Sequence, residues 1–209
     1  TERLAEFAHR VGIDGPVRAV PSTAIGTFNA SLLDVTNAFT LFGNGGVRAE
    51  PHLIRRIERW DGRVLWRKEP GGGTRVLDEA TAFVVLDAMR AVVDRGTAAS
   101  VRRHGYAGAA AGKTGTTNDG TDAWFVGLTP ELVAGVWIGF DRPRPIVGDG
   151  DAGGGELAAP AWAAWMASVR PGTPRRTGWT PPLTVERVRY HETQGHVIGM
   201  HCAVERGSP

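Results

Sequence analysis

The sequence predicts an α+β protein: an antiparallel sheet covered by helices. Three observations carry that class. Helical periodicity dominates the first part of the chain, short β-branched runs separated by Asp-Gly and Asn-Asp-Gly turns follow, and a last apolar helical segment closes the pattern. Of the 209 residues, 42% are hydrophobic, enough for the core of one medium domain or a large part of one.

The elements follow in order. Thr1 to Val11 places Leu4, Phe7 or Ala8, and Val11 on one helical face, and Gly12 with Gly15-Pro16 ends it. Pro21 to Phe28 reads as a loop. A second helix begins at Asn29 or Ser31, either of which can cap it, and runs through Leu41 to the stop at Gly43-Asn-Gly-Gly46. His52–Arg59 and Arg63–Arg67 flank Asp61-Gly62 and predict a hairpin. Glu69 to Thr74 is a flexible connection. Asp78 caps a long helix through Val93, ended by Gly96, and a shorter helix follows from Thr97 to Arg103. Strands are expected at Ala109–Thr117, Ala123–Leu128 and Leu132–Phe140. The last is apolar on both faces, which predicts a place in the middle of a sheet. Asp141 to Gly155 is a loop. Glu156 to Val169 is a helix in which Pro160 must sit in the first turn and Trp162 and Trp165 read as core. Beyond Pro171 the composition turns to Pro, Arg and Thr; Thr184–Tyr190 can pair with His196–Met200. The expected division is therefore 1–170 and a tail, 171–209.

Composition excludes several classes. Lys plus Arg number 24 against 22 Asp plus Glu, a net charge of +2, a near balance from which no nucleic-acid partner is expected. One cysteine, Cys202, excludes an internal disulfide. No uninterrupted apolar run is long enough to span a membrane, and the N-terminus lacks the pattern of a signal peptide, so the chain as given reads as soluble. The start inside a helical pattern, without Met, reads as a piece of something longer. His191, His196, His201 and Cys202 form a short tract whose spacing puts alternate residues on opposite faces of a strand, so no metal is assigned. Arg102-Arg103-His104 reads as a solvated helix end, and Asn118, Asp122 and Asp141 as turn residues.

The chemistry concentrates in Ala107–Gly127, AGAAAGKTGTTNDGTDAWFVG. Ala107 to Thr114 fits a phosphate-loop spacing if Ala replaces the first Gly, but such a loop needs a buried strand before it and a helix after it. Val101 to Tyr106 is too charged for the first, and Gly115 to Asp122 leads into a turn rather than a helix. The local reading is strand, turn, strand. On an edge strand, Lys113, Gly115 and Thr117 share one face and Thr114 and Thr116 the other, unless a twist at Gly115 changes the pattern. Gly115 admits a substrate backbone, and a lysine beside hydroxyls makes a carboxylate or oxyanion subsite.

Lys113-Thr-Gly-Thr116 and the strand after it resemble the K-T-G-T motif of penicillin-binding proteins, the serine acyl-transferases that cross-link peptidoglycan, and specifically the class A, bifunctional type. Ala38–Val47 with Glu50-Pro51, the Asp61-Gly62 hairpin, Val93–Thr97, Val136–Asp141 and Ala159-Pro160 agree in the same order, over most of residues 1–170. The resemblance implies an incomplete penicillin-binding/β-lactamase-like transpeptidase fold. It implies that Lys113 sets the electrostatics of the cleft and assists proton transfer. Thr114 and Thr116 would bind the substrate or β-lactam carboxylate, the Thr116 amide would form half of an oxyanion hole, and Gly115 and Thr117 would line the substrate. The partners implied are D-Ala-D-Ala stem peptides and β-lactams, with no cofactor. The parent implied is anchored on the outer face of the cytoplasmic membrane and carries a glycosyltransferase domain.

Of the family's three motifs only this one is present. None of Ser22, Ser31, Ser100, Ser168 and Ser208 is followed by Lys at the third position or Asn at the second, so S-x-x-K and S-x-N are missing. The expectation is the C-terminal part of a D,D-transpeptidase, inactive alone. A D,D-carboxypeptidase or β-lactamase, and a non-catalytic sensor or scaffold, stand as alternatives.

Overall fold

The computed structural model describes residues 1–69, 72–147, 153–169, 178–191 and 196–198. Helix α1 spans Glu2–Arg10, a 3-10 turn covers Pro21–Ile25, and α2 spans Leu32–Gly43. Ser31, not Asn29, caps α2: its hydroxyl accepts the Asp34 amide at 3.0 Å. Strand β1 (Val47–Arg48) pairs antiparallel with β4 (Thr74–Arg75), a contact the sequence did not announce. The predicted hairpin forms, shorter than expected, as β2 (Arg56–Glu58) and β3 (Val64–Arg67), with Gly62 at φ +85° in its turn. Asp78 caps α3 (Glu79–Asp94) by accepting from the Thr81 amide and hydroxyl. The helix expected from Thr97 is a single turn, α4 (Ser100–Arg103).

Arg102 in α4 is no solvated end. It pairs with Asp94 at 2.7 Å and donates to the carbonyls of Tyr106 and Gly108, so it ties the end of α3 to the turn that delivers the next strand. That strand is β5 (Ala111–Thr116), followed by β6 (Asp122–Leu128) and β7 (Val133–Gly139), in the antiparallel order β5-β6-β7.

The expectation for the third strand therefore needs correction. Among the described residues β7 is an outer strand, and β6 is the central one. The apolar composition of β7 fits the helices packed on both of its faces. Phe39 and Phe42 of α2, with Leu86 and Met89 of α3, pack on one face of the sheet around Ala111, Leu128 and Val133. Trp162 and Met166 pack on the other with Phe125, Val136 and Ile138. A third cluster holds α1 to α2 through Ala8, Val11, Ile13 and Leu41.

The last helix begins unexpectedly. Gly154–Ala158 form a π turn that continues into α5 (Ala159–Val169). Pro160 is thus the second residue of α5, preceded by the wider turn, where the missing N–H disturbs the ladder least. The two tryptophans part company. Trp162 is fully buried, edge-on to Tyr106 and Phe125 at 5.4 and 5.5 Å, whereas Trp165 is 48% exposed. Only the first is core, because three residues along a helix turn the side chain roughly 60° past the face that α5 buries.

The tail is described in part. Trp179 packs onto the Leu86–Met89–Leu128 cluster, and β8 (Arg189–His191) pairs antiparallel with β9 (His196–Ile198). His201 and Cys202 lie outside the described residues, as do 148–152 of the predicted loop and 70–71 of the predicted connection.

Candidate active site

The Lys113 strand is β5, an outer strand, as expected. Its alternation can be fixed from one bond at its end. The Thr117 amide donates to the Asp122 carbonyl at 3.2 Å, which makes 117/122 a hydrogen-bonded pair. Register then makes Gly115/Trp124 and Lys113/Val126 pairs of the same kind, and turns the N–H and C=O of Thr114 and Thr116 toward the outer edge. Lys113 confirms the direction: its Nζ folds over to the Thr114 carbonyl, 2.8 Å away.

Side chains divide as the sequence predicts. Lys113, Gly115, Trp124, Val126 and Trp137 share one face, and register sets Lys113 opposite Val126 and Trp124 opposite Trp137. This face forms the floor of a cleft of about 620 Å³, walled by Ile25, Phe28, Leu32 and Phe39 from the 3-10 turn, the segment after it and α2. Lys113 is the cation in a largely apolar cleft. Gly115 leaves this floor open; a β-carbon there would sit 3.2 Å from that of Trp124.

Thr114 and Thr116 lie on the opposite face, and each hydroxyl is already engaged. Thr114 Oγ1 is 2.7 Å from Thr97 Oγ1, and Thr116 Oγ1 accepts the Gly154 amide at 3.0 Å. Both contacts leave a hydrogen to give. In the Thr97–Thr114 pair one hydroxyl donates and the other keeps its own proton, while Thr116 uses a lone pair on Gly154 and keeps its proton too. The β5 edge is thus flanked by an ammonium on one side and, on the other, by two hydroxyl donors without an acceptor among the described residues, with the Thr116 amide turned out between them.

Three consecutive glycines hold this arrangement. A β-carbon on Gly153 would strike Thr116 Oγ1, one on Gly154 the Trp124 and Gly115 carbonyls, and one on Gly155 the Thr97 carbonyl. Buried Ser100 fixes the last of them by donating to the Gly155 carbonyl at 2.5 Å. The π turn therefore starts pressed against the backbone of β5 and β6, which only glycine permits.

The remaining candidates fall elsewhere. Thr117 lines the rim of the cleft, and its hydroxyl accepts the amides of Thr121 and Asp122 at 3.0 and 2.9 Å. Thr117 thus joins Asp122 in the turn, where the Asp122 carboxylate accepts the Thr121 hydroxyl at 2.9 Å. Asp122 opens β6 and accepts the Trp137 indole N–H at 2.8 Å, bracing the cleft floor. Sequence reasoning gave no role to Thr97 or to Gly153–Gly155. Their partners are 17 and 38 residues away in the chain; Val93–Thr97 carried part of the resemblance but gave Thr97 no role.

Residues 15–163 match the penicillin-binding protein transpeptidase domain. The chain belongs to this family. Within it, the chain is 38% identical over 167 residues to penicillin-binding protein 1A of Neisseria cinerea, covering 77% of this chain and 20% of that protein. It is 33% identical over 217 residues to penicillin-binding protein 2D of Bacillus subtilis, covering 98% of this chain and 30% of that one. Among solved structures, the PonA1 protein of Mycobacterium tuberculosis in complex with penicillin V matches with a TM-score of 0.68 and 28% identity, over 84% of this chain and 51% of the other. Penicillin-binding protein 1A of Haemophilus influenzae shares the fold with a TM-score of 0.79 at 24% identity, over 93% of this chain and 35% of the other. The class A resemblance and the α+β fold of this family stand; the chain spans 20% to 30% of the length of those two relatives.

Proposed function

We propose that this chain supplies one wall of a serine D,D-transpeptidase cleft, the wall that grips the carboxylate and oxyanion of a D-Ala-D-Ala stem peptide or of a β-lactam. One observation carries the reading: the outer edge of β5 brings Lys113, two hydroxyls with protons to give and the outward amide of Thr116 around one line of backbone. A substrate strand laid on that edge takes main-chain bonds from Thr114 and Thr116 and offers its terminal carboxylate to the hydroxyl side.

In the proposed reaction a serine oxygen attacks the penultimate D-Ala carbonyl. The Thr116 amide donates to the oxygen as it gains charge, joined by the amide of that serine. Collapse breaks the C–N bond, the leaving amine of terminal D-Ala takes a proton, and the acyl-serine ester remains. An amine of a neighbouring stem then attacks that ester, releasing the serine and completing the cross-link. Lys113 keeps the cleft positive for the carboxylate and eases proton movement toward the serine. The serine and its lysine, the S-x-x-K motif, and S-x-N are absent from these 209 residues. The chain alone should therefore not be acylated. We place 1–170 in the transpeptidase domain and 171–209 as an appended tail, in a longer protein held at the outer face of the cytoplasmic membrane and carrying a glycosyltransferase domain.

Fluorescent penicillin labelling tests this. The 209-residue chain should stay unlabelled, the longer protein should label, and Lys113→Ala in the longer protein should abolish labelling while its circular dichroism is unchanged. Labelling of the isolated chain, or full labelling of the folded variant, would refute the assignment.

A further inference from the structure

The β2–β3 hairpin lies outside the hydrophobic clusters and is exposed along both strands. Its composition is unlike that of an ordinary solvated ribbon. Trp60 in the turn is 91% exposed and Leu53 just before the hairpin 95%; Ile54, Ile57, Leu65 and Trp66 are exposed as well. Interleaved with them are Arg55, Arg56, Arg59, Arg63, Arg67 and Lys68, against the carboxylates Glu58 and Asp61. Glu58 is taken by Arg56 at 2.6 Å, and Lys68 pairs with Glu50. Among the described residues, Arg55, Arg59, Arg63 and Arg67 stand within ion-pair distance of no carboxylate. Six cations and two acids give this segment +4 while the whole chain is +2, so the rest of the molecule is net negative and the positive charge is gathered here.

We propose that this hairpin is a docking surface for an anionic phospholipid bilayer. Arginines reach lipid phosphates while their stems and the tryptophan rings lie at the headgroup level, where an amphipathic side chain is most favourably placed. The aliphatic groups decide the class of partner. Single-stranded nucleic acid would use the arginines and tryptophans, but it offers nothing to Leu53, Ile54, Ile57 and Leu65, whereas the acyl boundary of a bilayer does. The inference is independent of the β5 cleft.

The test uses the whole chain, co-sedimented with vesicles of phosphatidylcholine alone and of phosphatidylcholine mixed equally with phosphatidylglycerol. Binding is expected only to the second, weakening at high salt, with a blue shift of tryptophan emission that is reduced in Trp60→Ala. The double variant R59E/R63E should bind about 25-fold more weakly, since each basic residue near an anionic surface contributes about fivefold and reversal removes at least that much. W60A/W66A should also reduce binding. Both variants change exposed positions, and urea unfolding will verify that they fold. Failure to sediment with either vesicle would overturn the proposal, as would sedimentation unaffected by both variants. Binding to single-stranded DNA but not to vesicles would replace the lipid with a nucleic acid.

Discussion

Replacing Gly154 by Ala should damage the fold out of proportion to one methyl group. The new β-carbon would stand 2.7 Å from the Gly115 carbonyl and 3.1 Å from its nitrogen, and closer still to the Trp124 carbonyl. These are backbone atoms in a paired ladder, so the π turn must lift rather than the strand yield. Overpacking of this kind costs about 1–3 kcal/mol. Lifting the segment also breaks the Gly154 amide bond to Thr116 and strains the one between buried Ser100 and Gly155, at about 1 kcal/mol each. The sum is about 3–5 kcal/mol. With a urea slope of about 2 kcal/mol per M, the midpoint should fall by about 2 M. The seven tryptophans give the fluorescence signal. Gly72→Ala is the control, since nothing lies within 4 Å of its β-carbon. If the two variants unfold at the same urea concentration, the π turn does not rest on the strand backbone, and the glycines do not shape the site.

Two further outcomes follow from the packing. Trp162→Ala should lose about 3–5 kcal/mol by the same measurement and Trp165→Ala about 1 kcal/mol or less, because only Trp162 is enclosed; equal losses would mean that α5 is rotated from the face described. The Asp78 carboxyl is held below its ordinary value, chiefly by the Thr81 hydroxyl and then the Thr81 amide, so its contribution to α3 is complete above the ordinary aspartate range and is lost as pH falls through the lower folded value. Asp78→Ala should therefore lower the urea midpoint at neutral pH, and the gap to the parent should narrow as pH is taken below the ordinary aspartate range; a gap unchanged there would contradict the cap.

Local signals were legible. Ser31 and Asp78 announce helix starts because a cap is a contact with the third residue on. Asp61-Gly62 announces a hairpin because the turn needs a positive φ, and Lys113–Thr116 announces its strand by alternation and by resemblance. What escaped depends on distant partners. The apolar run of β7 does not say whether its neighbours are strands or helices, and the pairing of β1 with β4 bridges a whole hairpin. Trp162 and Trp165 look alike until the helix face is known. The Gly153–Gly155 run reads as loop because the reason for glycine lies in Thr116, Trp124 and Thr97, none of them nearby in the chain. The division of the cleft was visible in part: alternation on an edge strand separated Lys113 from Thr114 and Thr116, but not the Thr97 and Gly154 contacts that engage the two hydroxyls.

β7 has a consequence for how the chain behaves in company. Val133-Ala-Gly-Val-Trp-Ile-Gly139 carries no charge and no proline, and among the described residues only its inner edge is paired. Its β-prone Val133, Val136, Trp137 and Ile138, with a row of amides and carbonyls unmatched among the described residues, offer another copy an edge on which to extend the sheet. A lysine or proline at such a border would discourage this, and β7 has neither. Association through this border would grow with concentration and leave the interior untouched.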